Sequence, residues 1–208
     1  MIDVSEVSVS VAGAALLRRT DLAVDRGEAV AVRGPNGSGK TTLLRVIAGE
    51  ITPSGGTVRV AGEAVDDRSS VFRRRVAGSL GLPPFARSLT LREHLTLIAT
   101  TWGADATAAE AAADEVGDEL GLSRLADRFP HELSSGQRQL AGLATVLVRP
   151  FDIVLLDEPE QRLDSDHVSA VIGAFARRRD AGATVVVATH SDRIAAELTD
   201  RTVLLAAA

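Results

Sequence analysis

The 208-residue sequence has no cysteine and no tyrosine, one tryptophan, and a single lysine, Lys40; every other basic side chain is arginine or histidine. Without cysteine there is no disulfide, no thiolate metal site and no thiol nucleophile, and the composition fits a reducing compartment. No uninterrupted apolar run approaches the roughly 18 residues that a membrane-spanning helix needs. The first residues, MIDVSEVSVS, have no basic stretch followed by an apolar one, so no signal peptide is expected. A net charge of −5 argues against a general nucleic-acid binder. The arginine triplets Arg73–Arg75 and Arg177–Arg179 are short and isolated, and read as solvated faces.

What remains is an ordinary globular composition, 45% hydrophobic and 25% charged, long enough for one core with a smaller lobe inserted in it. The abundance of alanine, arginine, glycine and valine suggests a GC-rich coding bias that exchanges lysine for arginine. Against that bias, the lysine retained at position 40 asks for a chemical reason.

The first third reads as strands: VSEVSVSV alternates, TDLAVDRGE ends in a turn, and EAVAVRG is a short apolar run. TTLLRVIAG has helical spacing with Gly49 placed to stop it, and GGTVRVAGEAV reads as a hairpin. Leu82-Pro83-Pro84 breaks this rhythm. A helix follows from a capping box, Thr90 to Glu93, then the alanine-rich ADATAAEAAADEVGDELG and the helical SSGQRQLAGLATVLV. From Phe151 strands and helices alternate again: DIVLLDEP, DSDHVSAVIGAFARRRD, ATVVVATHS, DRIAAEL and RTVLLA. Strands that are continuous Val/Leu/Ile runs, alternating with helices, predict a parallel sheet. A helical lobe over about residues 83–148 interrupts it, leaving 1–82 and 149–208 as the core.

Gly34-Pro35-Asn36-Gly37-Ser38-Gly39-Lys40-Thr41 fits G-x4-G-K-[ST], between a buried strand and a helix. Glycines let the backbone wrap a phosphate, with amide hydrogens pointing inward at the helix N-terminus. Lys40 brings a compact charge to the β- and γ-phosphates, and Thr41 a hydroxyl for Mg²⁺. Arginine's planar fork does not substitute for that point charge, which gives Lys40 its reason. IVLLDEP puts Asp157 and Glu158 at the carboxyl end of a buried strand, where open α/β sheets bind ligands. Asp157 suits the Mg²⁺ shell, and Glu158 the polarisation of a water aimed at the γ-phosphate. LSSGQ, Leu133 to Gln137, opens a helix with small residues. Alone it reads as a plain cap.

Taken together, these motifs resemble those of the ATP-binding-cassette (ABC) ATPase family, in order and over essentially the whole chain. GPNGSGKTT is similar to its Walker A, LSSGQ to its signature, IVLLDEP to its Walker B, Leu163-Asp164 to the end of its D-loop, and VVVATHS to the strand carrying its switch histidine. The resemblance implies an α/β fold: a P-loop NTPase (RecA-like) parallel-sheet core, an N-terminal antiparallel β subdomain and an inserted α-helical subdomain. It implies Mg-ATP bound by Gly34, Pro35, Asn36, Gly37, Ser38, Gly39, Lys40, Thr41 and Thr42, with Thr41 and Asp157 toward the metal. Lys40, Glu158 and His190 would be catalytic. In a head-to-tail dimer, homomeric or with a second cassette, Ser134, Ser135, Gly136 and Gln137 would close over the nucleotide of the other subunit. The implied function is the ATP-hydrolysing subunit of an ABC transporter, driving a separate integral membrane subunit from the cytoplasmic face of the cell membrane. A soluble non-transport ABC ATPase and a binding-only regulatory cassette are the other two readings. His94, His131 and His167 are read as cap or core residues.

The chain departs from the family pattern in three places. The family's glutamine at the entry to the helical lobe is missing; Leu82 or Pro83 stands near it, and no glutamine occurs before Gln137. The early aromatic that stacks on adenine is missing; Val11 is its equivalent, and the first aromatic is Phe72. The D-loop reads Gln161-Arg162-Leu163-Asp164 where small residues are usual before Leu-Asp, and Ser135 replaces a signature glycine.

Overall fold

A computed structural model describes residues 1–207. The described residues form two compact units, one of residues 1–80, 151–158 and 176–207, the other of 81–150 and 159–175.

The first unit contains two sheets. Strands β1 (Ile2–Val11), β2 (Ala14–Val24), β4 (Gly55–Val60) and β5 (Glu63–Ala64) form an antiparallel sheet in the order β2-β1-β4-β5. The predicted hairpin pairs Val60 with Glu63, so its turn is Ala61-Gly62. Both turn residues have positive φ, 54° and 83°, as a two-residue hairpin turn with native strand twist requires.

The second sheet runs β6 (Val76–Ser79), β7 (Ile153–Asp157), β8 (Thr184–Ala188), β3 (Ala29–Arg33) and β9 (Arg201–Leu204), parallel throughout. The inner strands have no solvent-facing side, which is why they read as unbroken apolar runs; Val30, Val32, Ile153, Leu155 and Val186 are fully buried. Helix α1 (Lys40–Ile47) buries Leu43, Leu44, Val46 and Ile47 in the same core. Helix α7 (Asp192–Leu198) is N-capped by Ser191.

Two elements escaped the sequence reading, α2 (Ser70–Arg75) and the edge strand β6. The arginine triplets fall in the last turns of α2 and of α6 (Ser165–Asp180), where cations complement the helix dipole.

The second unit is helical. Helix α3 (Leu91–Thr101) starts at the predicted capping box of Thr90 and Glu93. Helices α4 (Ala106–Glu119) and α5 (Ser135–Leu147) follow, linked by two short 3-10 turns at 123–125 and 130–132. Helices α3 and α4 pack against each other; α3 buries Leu91, Leu95 and Ala99, and α4 buries Ala109, Ala113 and Val116.

Candidate active site

The loop between β3 and α1 wraps around its own lysine. Lys40 is 7% exposed, and its Nζ donates to the carbonyls of Gly34 at 3.0 Å and Pro35 at 3.3 Å. An ammonium satisfies two convergent carbonyls at a point, while a guanidinium needs a planar space this loop does not leave. Gly39 precedes the helix at φ 92°, and a Cβ there would stand 2.6 Å from the Leu16 carbonyl oxygen, so β2 presses directly on the loop. Pro35, Asn36 and Gly37 are exposed, and Thr42 follows in the first turn of α1. Ser38 is buried at 1% exposure, and its hydroxyl makes no hydrogen bond. A buried polar group without a partner is costly, and here it stands at a helix N-terminus suited to an anion.

The end of β7 supplies the carboxylates. Thr41 Oγ1 donates to Asp157 Oδ2 at 2.7 Å. A hydroxyl and a carboxylate within hydrogen-bond distance are hard oxygen donors, the set Mg²⁺ takes. Among the described residues no group of three or more His, Cys, Asp or Glu could hold a metal alone.

Glu158 has φ 48°, a left-handed backbone that glutamate rarely adopts, and its N–H donates to Ala188 O at 2.8 Å. This bond anchors the strained residue to the end of β8. His190, two residues beyond β8, brings Nε2 within 3.6 Å of Glu158 Oε1. Arg33, the last residue of β3, donates to the His190 carbonyl at 3.2 Å and pairs with Asp192 at 2.8 Å. Thr189, fully buried, accepts from Ser191 N at 2.9 Å. Arg33 and Thr189 were missed in the sequence, although the charge of Arg33 at the end of a buried strand was a usable signal.

Lys40, Thr41, Asp157, Glu158 and His190 thus converge within one unit at the carboxyl ends of β3, β7 and β8. The signature residues lie in the other. Ser134 and Gln137 form a reciprocal capping box, with Ser134 N donating to Gln137 Oε1 at 2.8 Å and Gln137 N to Ser134 Oγ at 3.3 Å. The exposed Ser135 begins α5. A Cβ on Gly136 would stand 2.6 Å from the carbonyl oxygen of Arg162, itself left-handed at φ 67°. The D-loop backbone therefore rests on the signature glycine.

At the other departures, Val11 is 58% exposed and Leu82 45% exposed, while Pro83 packs against Gly142 of α5. His94 is a satisfied core histidine: its Nδ1 meets Thr90 O at 2.8 Å and its Nε2 accepts from Ala86 N at 2.9 Å. His167 closes on Asp164 at 2.8 Å, and His131 stacks on Phe129.

Known proteins resemble this chain in sequence and in fold. The chain matches the ABC transporter family over residues 17–161. It is 36% identical to a putative ABC transporter ATP-binding protein of Streptomyces avermitilis, over 97% of this chain and 80% of that one. It is 34% identical to a hemin import ATP-binding protein of Rhodopseudomonas palustris, over 98% and 78%. It also superposes on a dimeric ATP-binding cassette in a post-hydrolysis state bound to ADP and Pi, with TM-score 0.88 and 25% identity, covering 99% of this chain and 94% of that one. The chain belongs to the ABC transporter family, as an ATP-binding and ATP-hydrolysing subunit of the P-loop NTPase class.

Proposed function

We propose that this chain binds Mg-ATP on the β3–α1 loop and hydrolyses it with Lys40, Glu158 and His190. The observation that carries this reading is the joining of Thr41 to Asp157 at 2.7 Å, directly before a glutamate held in a strained conformation beside His190. Lys40 neutralises phosphate oxygens at the helix N-terminus, where the loop amides and the Ser38 hydroxyl supply further donors. Glu158 accepts a proton from the attacking water, and His190 orients that carboxylate and the γ-phosphate. Thr41 and Asp157 would hold Mg²⁺, which when bound neutralises and orients the phosphates. Without an aromatic at Val11, the loss of base stacking is worth on the order of 1–3 kcal/mol, so discrimination between ATP and GTP is weak.

In this reading a second cassette, identical or different, lays Ser134, Ser135, Gly136 and Gln137 over the nucleotide. The relative solved with ADP and Pi is a dimer, which supports this arrangement. A separate integral membrane subunit docks on the segment from Leu82 to Leu95, placing the chain on the cytoplasmic face of a membrane. No helix among the described residues is long and apolar enough to cross one. The test is Mg-ATP-dependent dimerisation of the Glu158→Gln chain by sedimentation, with Lys40→Ala as control. A dimer in the first and a monomer in the second is expected; ATP binding that survives Lys40→Ala undiminished overturns the reading.

A further inference from the structure

Strand β3 ends in a charge that breaks its own pattern. Ala29, Val30, Ala31 and Val32 are fully buried, and Arg33 follows them as the last residue of the strand. An arginine there must reach solvent or find acceptors, because burying an unpaired charge is costly. Its side chain is 30% exposed and lies across the exit of the neighbouring strand, β8.

That exit is where support from the sheet runs out. Val32 pairs with Ala188, and the next bond between the two strands runs from Thr189 N to the Val32 carbonyl at 3.3 Å. Beyond it the chain turns through His190 and Ser191 into α7. One terminal nitrogen of Arg33, Nη2, spans this turn. It donates to the His190 carbonyl at 3.2 Å and pairs with Asp192 Oδ1, in the first turn of α7, at 2.8 Å. Asp192 is 92% exposed, and an ion pair in such a place adds little to stability. The contact therefore bears on where the turn sits rather than on whether the chain folds.

The place of the turn matters at the other end of His190. Its Nε2 lies 3.6 Å from Glu158 Oε1, just beyond hydrogen-bond reach. A shift of about 0.5 Å makes or loses that bond. The Glu158 backbone is already tied to β8 through Ala188 O, which leaves the turn carrying His190 as the part to be held.

We propose that Arg33 is a positioning residue for ATP hydrolysis: it holds the turn of residues 190–192 so that the His190 imidazole faces Glu158. Arg33 acts through His190 and not on the nucleotide. Its effect on turnover rests on the reading of His190 as catalytic, while its effect on the placement of His190 does not.

The experiment uses the purified full chain and two readouts. The first needs no nucleotide: side-chain NMR signals of the four histidines, with His190→Ala identifying its own. Arg33→Met is expected to shift the His190 signal and to leave those of His94, His131 and His167 in place. Asp192→Ala, at an exposed site, shifts the same signal and decides the matter if Arg33→Met does not fold. The second readout is steady-state turnover. Misplacement by about 1 Å costs about 10²-fold, so Arg33→Met should lower kcat about tenfold or more. KM for Mg-ATP should stay within about twofold, and Tm within about 4 °C. In a His190→Ala background the same change should alter kcat by less than about twofold. A His190 signal unmoved in both variants overturns the proposal. So does a raised KM with kcat retained, which would make Arg33 a nucleotide contact, or a loss of kcat that persists in full without His190. A parent chain that lacks turnover, or keeps it in Glu158→Gln, fails the nucleotide reading instead, and the His190 signal then decides on Arg33 alone.

Discussion

The hydroxyl of Thr41 in the first turn of α1 donates to the carboxylate of Asp157 at the end of β7, at 2.7 Å. This contact ties the phosphate loop to the strand that delivers Glu158. Asp157→Asn keeps the shape but removes the charge, and turnover should fall by about 10²–10³-fold. Thr41→Val removes the bond itself, at a folding cost of about 1 kcal/mol, or a few degrees in Tm. Mg²⁺-dependent turnover and thermal melting of the two variants check this.

Glu158 holds φ 48° where glycine would sit without strain. Strain of this kind is worth about 1–3 kcal/mol, and the added freedom of glycine in the unfolded chain offsets about 0.4–1 kcal/mol of the gain. Glu158→Gly should therefore melt at or above the parent temperature while losing turnover. A lower Tm would mean that the backbone there is not strained.

Gly136 carries the carbonyl of Arg162 where its Cβ would be, whereas Gly117 faces open space. Gly136→Ala must displace the D-loop and should cost about 1–3 kcal/mol. Gly117→Ala, inside a helix, should stabilise by up to about 1 kcal/mol. Paired urea titrations of the two alanine variants test the contrast.

Glu28 is held below its ordinary carboxylate value of 4.5, first by its hydrogen bond to Arg201, against the opposing effect of burial. The Nε of Arg201 lies 2.6 Å from Glu28 Oε1. A carboxylate whose folded pKa is depressed adds stability that is fully present above the unfolded value and is lost as pH falls through the folded one. Arg201 is 42% exposed, so solvent screening limits the pair to about 1 kcal/mol or less. Glu28→Gln should be slightly less stable than the parent at pH 7. The gap should close below about pH 4. A constant gap across that range would assign the loss to packing rather than charge.

Much of this was legible in the sequence because the signals are local. The phosphate loop announces itself by glycine spacing between an apolar run and a helix, and the capping box at Thr90 by residues three apart. Helix α2 was not legible because it is six residues long, buries none of its side chains, and so has no apolar period. Strand β6 reads only as Val-Ala-Gly-Ser; it becomes a strand by pairing with β7, a partner distant in sequence. The same holds for Arg33, which reaches the carbonyl of His190 only because β3 and β8 are neighbours in the sheet. LSSGQ read as a cap when taken alone, and Ser134 and Gln137 do cap α5. The left-handed turn of Arg162 had no signal, since arginine is not a residue that marks positive φ.

The most direct test of the central claim is steady-state ATP turnover per subunit as a function of protein concentration, with Glu158→Gln measured alongside. Two cassettes closing on shared nucleotide predict specific activity that rises with concentration and vanishes in the variant. Specific activity independent of concentration, or retained by Glu158→Gln, would contradict the account.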